Sequence, residues 1–514
     1  MDTLTVNEPP CKSPDNKTSS ETDSLLSNAT PSTSSNLKQI KENRALLISE
    51  ETERKNIIKA SKRSRRVDMS LELNNKKVCC CGPGWKRYLI SILCCVCLTV
   101  VIGMRSEMLG IVEQLNKANQ SLYEKNESPN DHYFFRYRRT LRNQPPKDFK
   151  DKIYNASRPR RMPWTENVTA DFIENALFFA YLFGSPVGGY LTVRHDSSLL
   201  LGGSTAMTCT LNLFLPLVEI IESNMTARIT IIIILRILQG LAEGCLIPAV
   251  FGVLRFWGPE SERSTLICLA MIGVSLGPLI GLPICVEIED HWGWGVVFYI
   301  YANIGLIWCI FWWRLVDERP IKDKSVSQVE RLYLESTITK RLLMPTKPKI
   351  HIPWYSIFMS KPVFAILVTY AADDWTFQIS SVCMQVYYNQ IFQTKVDRTV
   401  RYLAFPFLSR SLFVPVGGFL ADLLRLKTAL PLTIIRKIFS ILGFGLKGVF
   451  FIAMSFAQDE FFATIYLTLS LGFSGLAVAG YAVNVIDMSP EYAGLIMGFA
   501  NSISTFTGRT SRKG

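Results

Sequence analysis

ARITIIIILRILQGLAEGCLIPAVFGVLRFWG, residues 227–258, is long and apolar enough to cross a lipid bilayer as a helix. It nevertheless contains two charged side chains, Arg236 and Glu243. A charge at membrane depth is costly, and lipid-facing positions do not keep one. The two residues stand close to two helical turns apart, so they share one face of the helix. The stretch therefore predicts a face that points into a protein interior or a water-filled cavity, as on a substrate or proton pathway.

Apolar runs of about 20 residues, the length that spans the hydrocarbon core, recur along the whole 514-residue chain. We predict an all-α polytopic membrane protein with about ten full spans and a partial eleventh, which begins at 493 and ends near Gly508. The sequence shows no twelfth span and no cleavable signal peptide. The ten full spans are predicted at 87–112, 173–193, 198–221, 227–257, 264–286, 293–315, 361–384, 401–424, 433–457 and 460–486.

The orientation follows from the lysines and arginines of the short loops, which collect on the cytosolic side of membrane proteins. In this chain the lysines and arginines of the short loops all lie on the cytosolic side of the membrane if the N-terminus is cytosolic. Residues 1–86 then form a cytosolic tail, predicted to be disordered because it begins with a long polar stretch. The loop 113–171 and the next outer loop lie on the other side, where Asn-X-Ser/Thr sequons accept glycans. The sequons are Asn119, Asn126, Asn155, Asn167 and Asn224.

The net charge of +13 is explained by the loops and needs no nucleic-acid partner. The sequence contains no P-loop, no paired zinc-ligand spacing and no nucleophile elbow, and it has only four histidines. We therefore predict that the protein is not an enzyme and uses neither a cofactor nor a metal. The lack of a nucleotide-binding domain also excludes a primary pump.

Two segments of the chain resemble each other. VGGYLTVRHDSS at 187–198 ends the second span, and VGGFLADLLRLK at 416–427 ends the eighth. Similar elements six spans apart indicate two related six-helix halves, the layout of major facilitator transporters. The halves are predicted at 87–316 and 361–508, the second being incomplete. Residues 317–360 form a cytosolic loop between them, and 509–514 form a basic tail.

The chain also resembles a more specific group, the anion–cation symporters that include vesicular glutamate transporters, sialin and related phosphate transporters. The resemblance covers nearly everything from 86 to 508. It is carried by segments such as VIGMRSEMLGIVEQ at 101–114, RILQGLAEGCLIPA at 236–249 and GFSGLAVAGYAVNVIDMSPEYAGLIMGFANS at 472–502.

The resemblance implies roles for four residues. Arg105 and Arg236 would handle a carboxylate substrate or chloride, and Tyr181 would line the same site. Glu243 would take part in proton coupling. The chemistry agrees, because a guanidinium is a planar fork that matches a carboxylate, and burial raises the pKa of a glutamate toward the working pH. A structural ion pair is the alternative, either Arg236 with Glu243 or Arg105 with Glu107.

The chain departs from the family pattern at several positions. Asp373 and Asp374, in YAADDWTF, stand where glutamate carriers have a substrate-binding arginine. Glu174 replaces a histidine of the second helix. New cations appear at Arg410 and Lys447. Either these charges pair in a swapped network that still carries an organic anion, with Arg410 as a substrate ligand, or the cavity has become more acidic. A third possibility places Asp373 at a solvated helix edge. We predict that Glu174, Asp373 and Asp374 share the proton coupling.

Two short motifs in the tail resemble acidic dileucine sorting signals, which clathrin adaptors read. They favour an endolysosomal or synaptic-type vesicle membrane over the plasma membrane. Residues 40–57 form an amphipathic helix in an alternative interpretation. The motif residues are Glu21, Leu25, Leu26, Glu42, Leu46 and Leu47.

The sequence thus predicts a secondary active transporter that moves an organic anion by alternating access. The anion is a glutamate- or sialic-acid-like carboxylate or a phosphate. A proton gradient or the membrane potential drives it, and chloride or sodium is a candidate accompanying ion. A non-transporting, truncated relative with a regulatory role is the alternative.

Overall fold

The computed structural model describes residues 84–105, 165–221, 225–323, 325–337, 352–380, 387–388 and 396–510. Within these ranges the regular secondary structure is helical, and it includes a short 3-10 helix at Pro490–Tyr492. The helices are α1 (Trp85–Met104), α2 (Thr165–Arg194), α3 (Ser197–Ile221), α4 (Met225–Gly244), α5 (Leu246–Trp257), α6 (Arg263–Trp292), α7 (Trp294–Leu315), α8 (Gln328–Thr337), α9 (Trp354–Phe358), α10 (Lys361–Gln378), α11 (Val396–Lys427), α12 (Leu432–Met454), α13 (Glu460–Met488) and α14 (Ala493–Thr510).

Each predicted span has a helical counterpart. In order they are α1, α2, α3, α4 with α5, α6, α7, α10, α11, α12, α13 and α14. In the part of the chain that the structure describes, nine of the eleven are long and apolar enough to cross a membrane. Helix α10 is not among them because its 18 residues include Lys361, Asp373 and Asp374.

The fourth span is interrupted, whereas the sequence predicted one continuous helix over 227–257. Helix α4 ends at Gly244, Cys245 lies in a turn, and α5 begins at Leu246. Pro248 explains the break, since its ring lacks an N–H and collides with the carbonyl of the residue four positions earlier, Gly244. The amide of Cys245 bonds instead to the Ala242 carbonyl at 3.1 Å, which tightens the turn.

The second helix is longer than predicted. It begins at Thr165 rather than at 173, so Asn167 lies in its first turn and not in a loop. Hydropathy marks where a helix can meet lipid and does not mark where its hydrogen bonds begin, which explains the difference.

The packing of the helices repeats after six spans. The first span packs on the fifth (α1 on α6), as the seventh does on the eleventh (α10 on α14). The second packs on the fourth (α2 on α4), as the eighth does on the tenth (α11 on α13). Two further pairs, α2 with α14 and α11 with α6, join the halves. These two pairs also correspond to each other when each span is matched with the span six positions away. The repeat predicted from the two Gly-Gly segments is therefore present in the packing.

The repeated glycines allow close contacts between these helices. A Cβ on Gly188 would lie 2.5 Å from Cys245, and one on Gly189 would lie 2.8 Å from the Gly494 carbonyl. In the other half, a Cβ on Gly418 would lie 2.7 Å from the Ser264 carbonyl. Small residues let helix backbones approach closely inside a membrane. Both copies of the repeat therefore pack one helix within its half and one across the boundary between halves.

Candidate functional site

Three polar side chains follow each other along one face of α4. Arg236 donates from Nη1 to Gln239 Oε1 at 2.9 Å, and Gln239 donates from Nε2 to Glu243 Oε1 at 3.0 Å. All three are buried, with at most 1% of each residue exposed. The face predicted from Arg236 and Glu243 therefore points into the protein. Gln239 sits three residues after Arg236 and four before Glu243, the helical spacing that brings neighbours together.

Arg105, at the end of α1, completes this cluster. Its Nε lies 3.1 Å from Glu243 Oε2, and its guanidinium carbon lies 4.8 Å from the centre of the Tyr181 ring. The Arg105 side chain is 26% exposed, whereas that of Glu243 is fully buried. Glu243 occupies the Nε edge of the guanidinium, Tyr181 also hydrogen-bonds the Arg105 side chain, and the exposed part of that side chain is accessible to a ligand. The observed ion pair, Arg105 with Glu243, is neither of the two considered above, and Arg236 reaches Glu243 through Gln239. Glu107 lies outside the described residues.

A second charged cluster surrounds Asp373 on α10. Arg410 Nη2 lies 3.0 Å from Asp373 Oδ2, and Lys447 Nζ lies 2.7 Å from Oδ1. Tyr481 donates its hydroxyl to Oδ2 at 2.8 Å. The four residues come from α10, α11, α12 and α13, and each is at most 7% exposed. Asp373 is thus held in a swapped charge network and is not a solvated residue at a helix edge.

Of the remaining predicted positions, only Asp374 has a described side chain. Asp374 is half-buried and faces α14, where a Cβ on Gly508 would lie 2.5 Å from its Oδ2. Glu174 lies on α2, but its side chain is outside the described residues, as is Asn224. The sequons Asn119, Asn126 and Asn155 and both dileucine motifs also lie outside them.

Each half has more positive than negative charge among its clustered side chains. The first cluster contains Arg105, Arg236 and Glu243, and the second contains Arg410, Lys447 and Asp373. Each cluster thus combines two cations with one carboxylate, and arginine side chains bind anions through charge-assisted hydrogen bonds.

Three residues of these clusters were not predicted from the sequence. Gln239 could have been found from helical spacing alone, whereas Tyr481 gives no local signal. Asn501 is a polar residue in the apolar eleventh run, and it reaches across to the other half. Its Nδ2 donates to Tyr181 Oη at 2.7 Å and to Ser185 Oγ at 2.8 Å.

Charged side chains also join the halves at the end of the bundle where α2 ends and α14 begins, here named the charged end. Arg263 Nη1 and Arg436 Nη2 bind the two oxygens of Asp487 at 2.7 and 2.8 Å. Arg255 donates to the Glu491 carbonyl at 2.8 Å and to the Thr192 carbonyl at 3.0 Å. These contacts hold the halves together at the charged end, which the sequence predicts to be cytosolic.

The loop between the halves packs against the same end. Lys86 Nζ lies 3.1 Å from Asp323 Oδ2, and both side chains are almost fully buried. Tyr333 of α8 shares a hydrogen bond of 2.5 Å with the hydroxyl of Ser261, and Arg87 lies 5.0 Å from the centre of its ring. Helix α8 is therefore fixed to the start of α1 and to the turn before α6.

Comparison with known proteins agrees with this architecture. Human vesicular glutamate transporter 2 is 33% identical over 341 residues, which are 66% of this chain and 58% of that protein. Vesicular glutamate transporter 3 of Danio rerio is 30% identical over 432 residues, 84% of this chain and 67% of that protein. The chain thus spans less than two thirds of the length of the first relative. These relatives are transporters and not enzymes.

Solved structures share the fold at low sequence identity. The proton:xylose symporter XylE bound to 6-bromo-6-deoxy-D-glucose superimposes with a TM-score of 0.57 at 13% identity, over 84% of this chain and 87% of that one. The human organic anion transporter MFSD10 gives 0.51 at 12% identity, over 83% and 92%. The Major Facilitator Superfamily profile matches residues 167–509. With its packing repeated after six spans, this multi-pass membrane protein belongs to the Major Facilitator Superfamily, in a branch similar to the anion–cation symporters.

Proposed function

We propose that the chain transports an organic anion across a membrane by alternating access. The observation that carries this proposal is the setting of Arg105. Its Nε is bound to a buried carboxylate, its face lies over Tyr181, and part of its side chain is exposed. A partly exposed guanidinium held in this way can donate charge-assisted hydrogen bonds to a carboxylate or phosphate. The names of the similar vesicular glutamate transporters and of MFSD10 support an anionic substrate.

Glu243 is the group that couples this site to protons. It shares Arg105 with the incoming anion, so binding of the anion and ionisation of Glu243 oppose each other. A proton on Glu243 removes its charge and frees the Nε edge of Arg105. Asp373 is a weaker candidate, because Arg410 and Lys447 stabilise its charged form. Asp374 carries no ion pair among the described residues and remains a second candidate, together with Glu174.

The substrate class is a small carboxylate resembling glutamate or sialic acid, or a phosphate, with a proton gradient or the membrane potential as the driving force. A vesicle or endolysosomal membrane is the proposed location, with clathrin adaptors bound to the tail. These details rest on the similarity to named transporters and on the sequence motifs.

Uptake into proteoliposomes of the full chain tests the proposal. Labelled glutamate, sialic acid and inorganic phosphate are supplied under an imposed pH gradient and, separately, under a potassium diffusion potential. Arg105→Ala should lower uptake at limiting substrate roughly 10- to 100-fold, because it removes charge-assisted hydrogen bonds. Arg236→Ala, which removes the buried cation bound to Gln239, should also lower uptake. Arg314→Ala, which removes an exposed arginine from α7, is the matched control and should transport normally.

The outcomes separate the alternatives. Glu243→Gln should retain exchange of substrate across the membrane and lose acceleration by the pH gradient. Absence of uptake for all three probes under both gradients would refute transport of these anions and favour the non-transporting alternative. Equal uptake by Arg105→Ala and the unmodified chain would show that the site lies elsewhere.

A further inference from the structure

Helices α2 and α14 approach each other closely at the boundary between the halves. A Cβ on Gly498 would lie 2.5 Å from the Ser185 carbonyl, and one on Gly189 would lie 2.8 Å from the Gly494 carbonyl. Above these contacts, Ser502 donates to the Leu182 carbonyl at 2.7 Å. The two helices therefore touch along a continuous line that begins at the charged end and reaches the level of Tyr181.

Asn501 stands at the upper part of this line and uses both amide hydrogens. One is donated to Tyr181 Oη and the other to Ser185 Oγ. Asn501 is 7% exposed, so water does not replace these bonds easily. Because the amide donates, the Tyr181 hydroxyl accepts, and its own hydrogen is left to point elsewhere. The adjacent group is Arg105, which lies over the Tyr181 ring and also donates a hydrogen bond to its hydroxyl, so the hydroxyl accepts from both residues.

We propose that Asn501 positions Tyr181 so that its hydroxyl donates to the anion held by Arg105, and that it does so only while α2 and α14 are in contact. Asn501 is a positioning residue in this account and does not touch the substrate. The inference rests on the proposed function for its ligand. The inference adds that Asn501, in the second half of the protein, affects the anion affinity of a site whose arginines, Arg105 and Arg236, belong to the first half.

The proposal links affinity to conformation. Alternating access requires the halves to separate at the end that is closed in this structure. When α2 and α14 separate there, Asn501 leaves Tyr181, and the hydroxyl loses its fixed orientation. The anion is then bound by Arg105 without an oriented hydrogen bond from the Tyr181 hydroxyl. Tight binding therefore belongs to the state closed at the charged end, and weaker binding to the state open there, which assists release on that side.

The test compares Asn501→Leu, which keeps the volume and removes the amide, with Ser502→Ala. The control removes a neighbouring hydrogen bond across the same interface that does not reach Tyr181. For whichever of glutamate, sialic acid and phosphate the unmodified chain takes up, Asn501→Leu should raise KM roughly three- to tenfold, the effect of one lost hydrogen bond, with little change in Vmax. Ser502→Ala should leave KM within twofold. In a Tyr181→Phe background, Asn501→Leu should have no further effect on KM.

An equal rise of KM in the Tyr181→Phe background, or the same rise with Ser502→Ala, would overturn the proposal. If Asn501→Leu is not recovered from membranes, Asn501→Ser, which keeps a shorter hydroxyl donor, takes its place with the same criteria.

A second measurement does not depend on transport. Hydrogen exchange of the purified full chain should be faster in Asn501→Leu than in Ser502→Ala over residues 186–194 and 493–499, because Asn501→Leu loses two hydrogen bonds between the helices and Ser502→Ala loses one. Unchanged exchange would overturn the link between Asn501 and conformation. Absence of uptake by the unmodified chain, by contrast, would refute the proposed function, and the exchange measurement would still decide whether Asn501 joins the halves.

Discussion

Asp373→Asn is the substitution whose effect follows most directly from the structure. It removes the charge that faces Arg410 at 3.0 Å and Lys447 at 2.7 Å, in a cluster whose side chains are at most 8% exposed. Breaking one buried pair by removing a partner costs about 3–5 kcal/mol, because the other charge remains without compensation. Here two cations lose their carboxylate, so we expect a loss at the upper end of that range. One kcal/mol shifts the unfolding midpoint of a domain of 150–250 residues by about 2–4 °C, and by about half as much in a chain of 514 residues. A loss near the upper end of the range therefore corresponds to about 5–10 °C.

Thermal unfolding of the detergent-purified full chain measures this loss. Lys447→Met should cost less, about 1–2 kcal/mol, since Asp373 keeps Arg410 and the Tyr481 hydroxyl. The double variant Asp373→Asn with Lys447→Met should recover part of the stability lost by Asp373→Asn alone. An Asp373→Asn protein that unfolds at the same temperature as the unmodified chain would refute the assignment of the cluster as a structural network. Loss of proton-driven uptake without loss of stability would instead make Asp373 a proton carrier.

Three further outcomes are expected. Gly498→Val should push α2 and α14 apart and lower the free energy of unfolding by about 1–3 kcal/mol, seen as a lower unfolding midpoint, whereas Gly445→Ala, which meets nothing within 4 Å, should leave the midpoint unchanged. Asp487→Asn should leave two buried arginines uncompensated and speed hydrogen exchange at residues 258–264, and the reasoning fails if exchange there is unchanged. Burial raises the pKa of Glu330, so its neutral form is favoured in the folded state, and docking of α8 should be most stable at low pH and weaken as pH rises through that pKa. Glu330→Gln should therefore raise the unfolding midpoint at pH 7.5 and have no effect near pH 4.

The sequence predicts those parts of the structure that depend on local periodicity. Apolar runs locate the helices, and the seven-residue spacing of Arg236 and Glu243 correctly places both on one buried face. The break at Cys245 was also within reach, since Pro248 obstructs the helix four residues earlier. It was missed because hydropathy alone treats 227–257 as one apolar run.

Partners across helices could not be predicted in the same way. Asp373, Arg410 and Lys447 were each recognisable as charges in apolar runs, and a swapped network was one of the possibilities. Which side chains meet depends on how α10, α11 and α12 are rotated about their axes, and one sequence does not contain that information. The same holds for Glu243, whose ion-pair partner turned out to be Arg105 on a distant helix.

The interruption of the fourth span has a mechanical consequence. Glu243 and Arg236 belong to α4, whereas Arg255 belongs to α5, and the two helices meet at Cys245. Arg255 lies ten residues beyond the joint, a lever arm of about 15 Å at the helical rise. Tilting α5 by about 10° would move Arg255 by roughly 2.6 Å, enough to detach it from the Glu491 and Thr192 carbonyls. A small bend at Cys245 can therefore break the contacts of Arg255 at the charged end while Glu243 keeps its ion pair with Arg105.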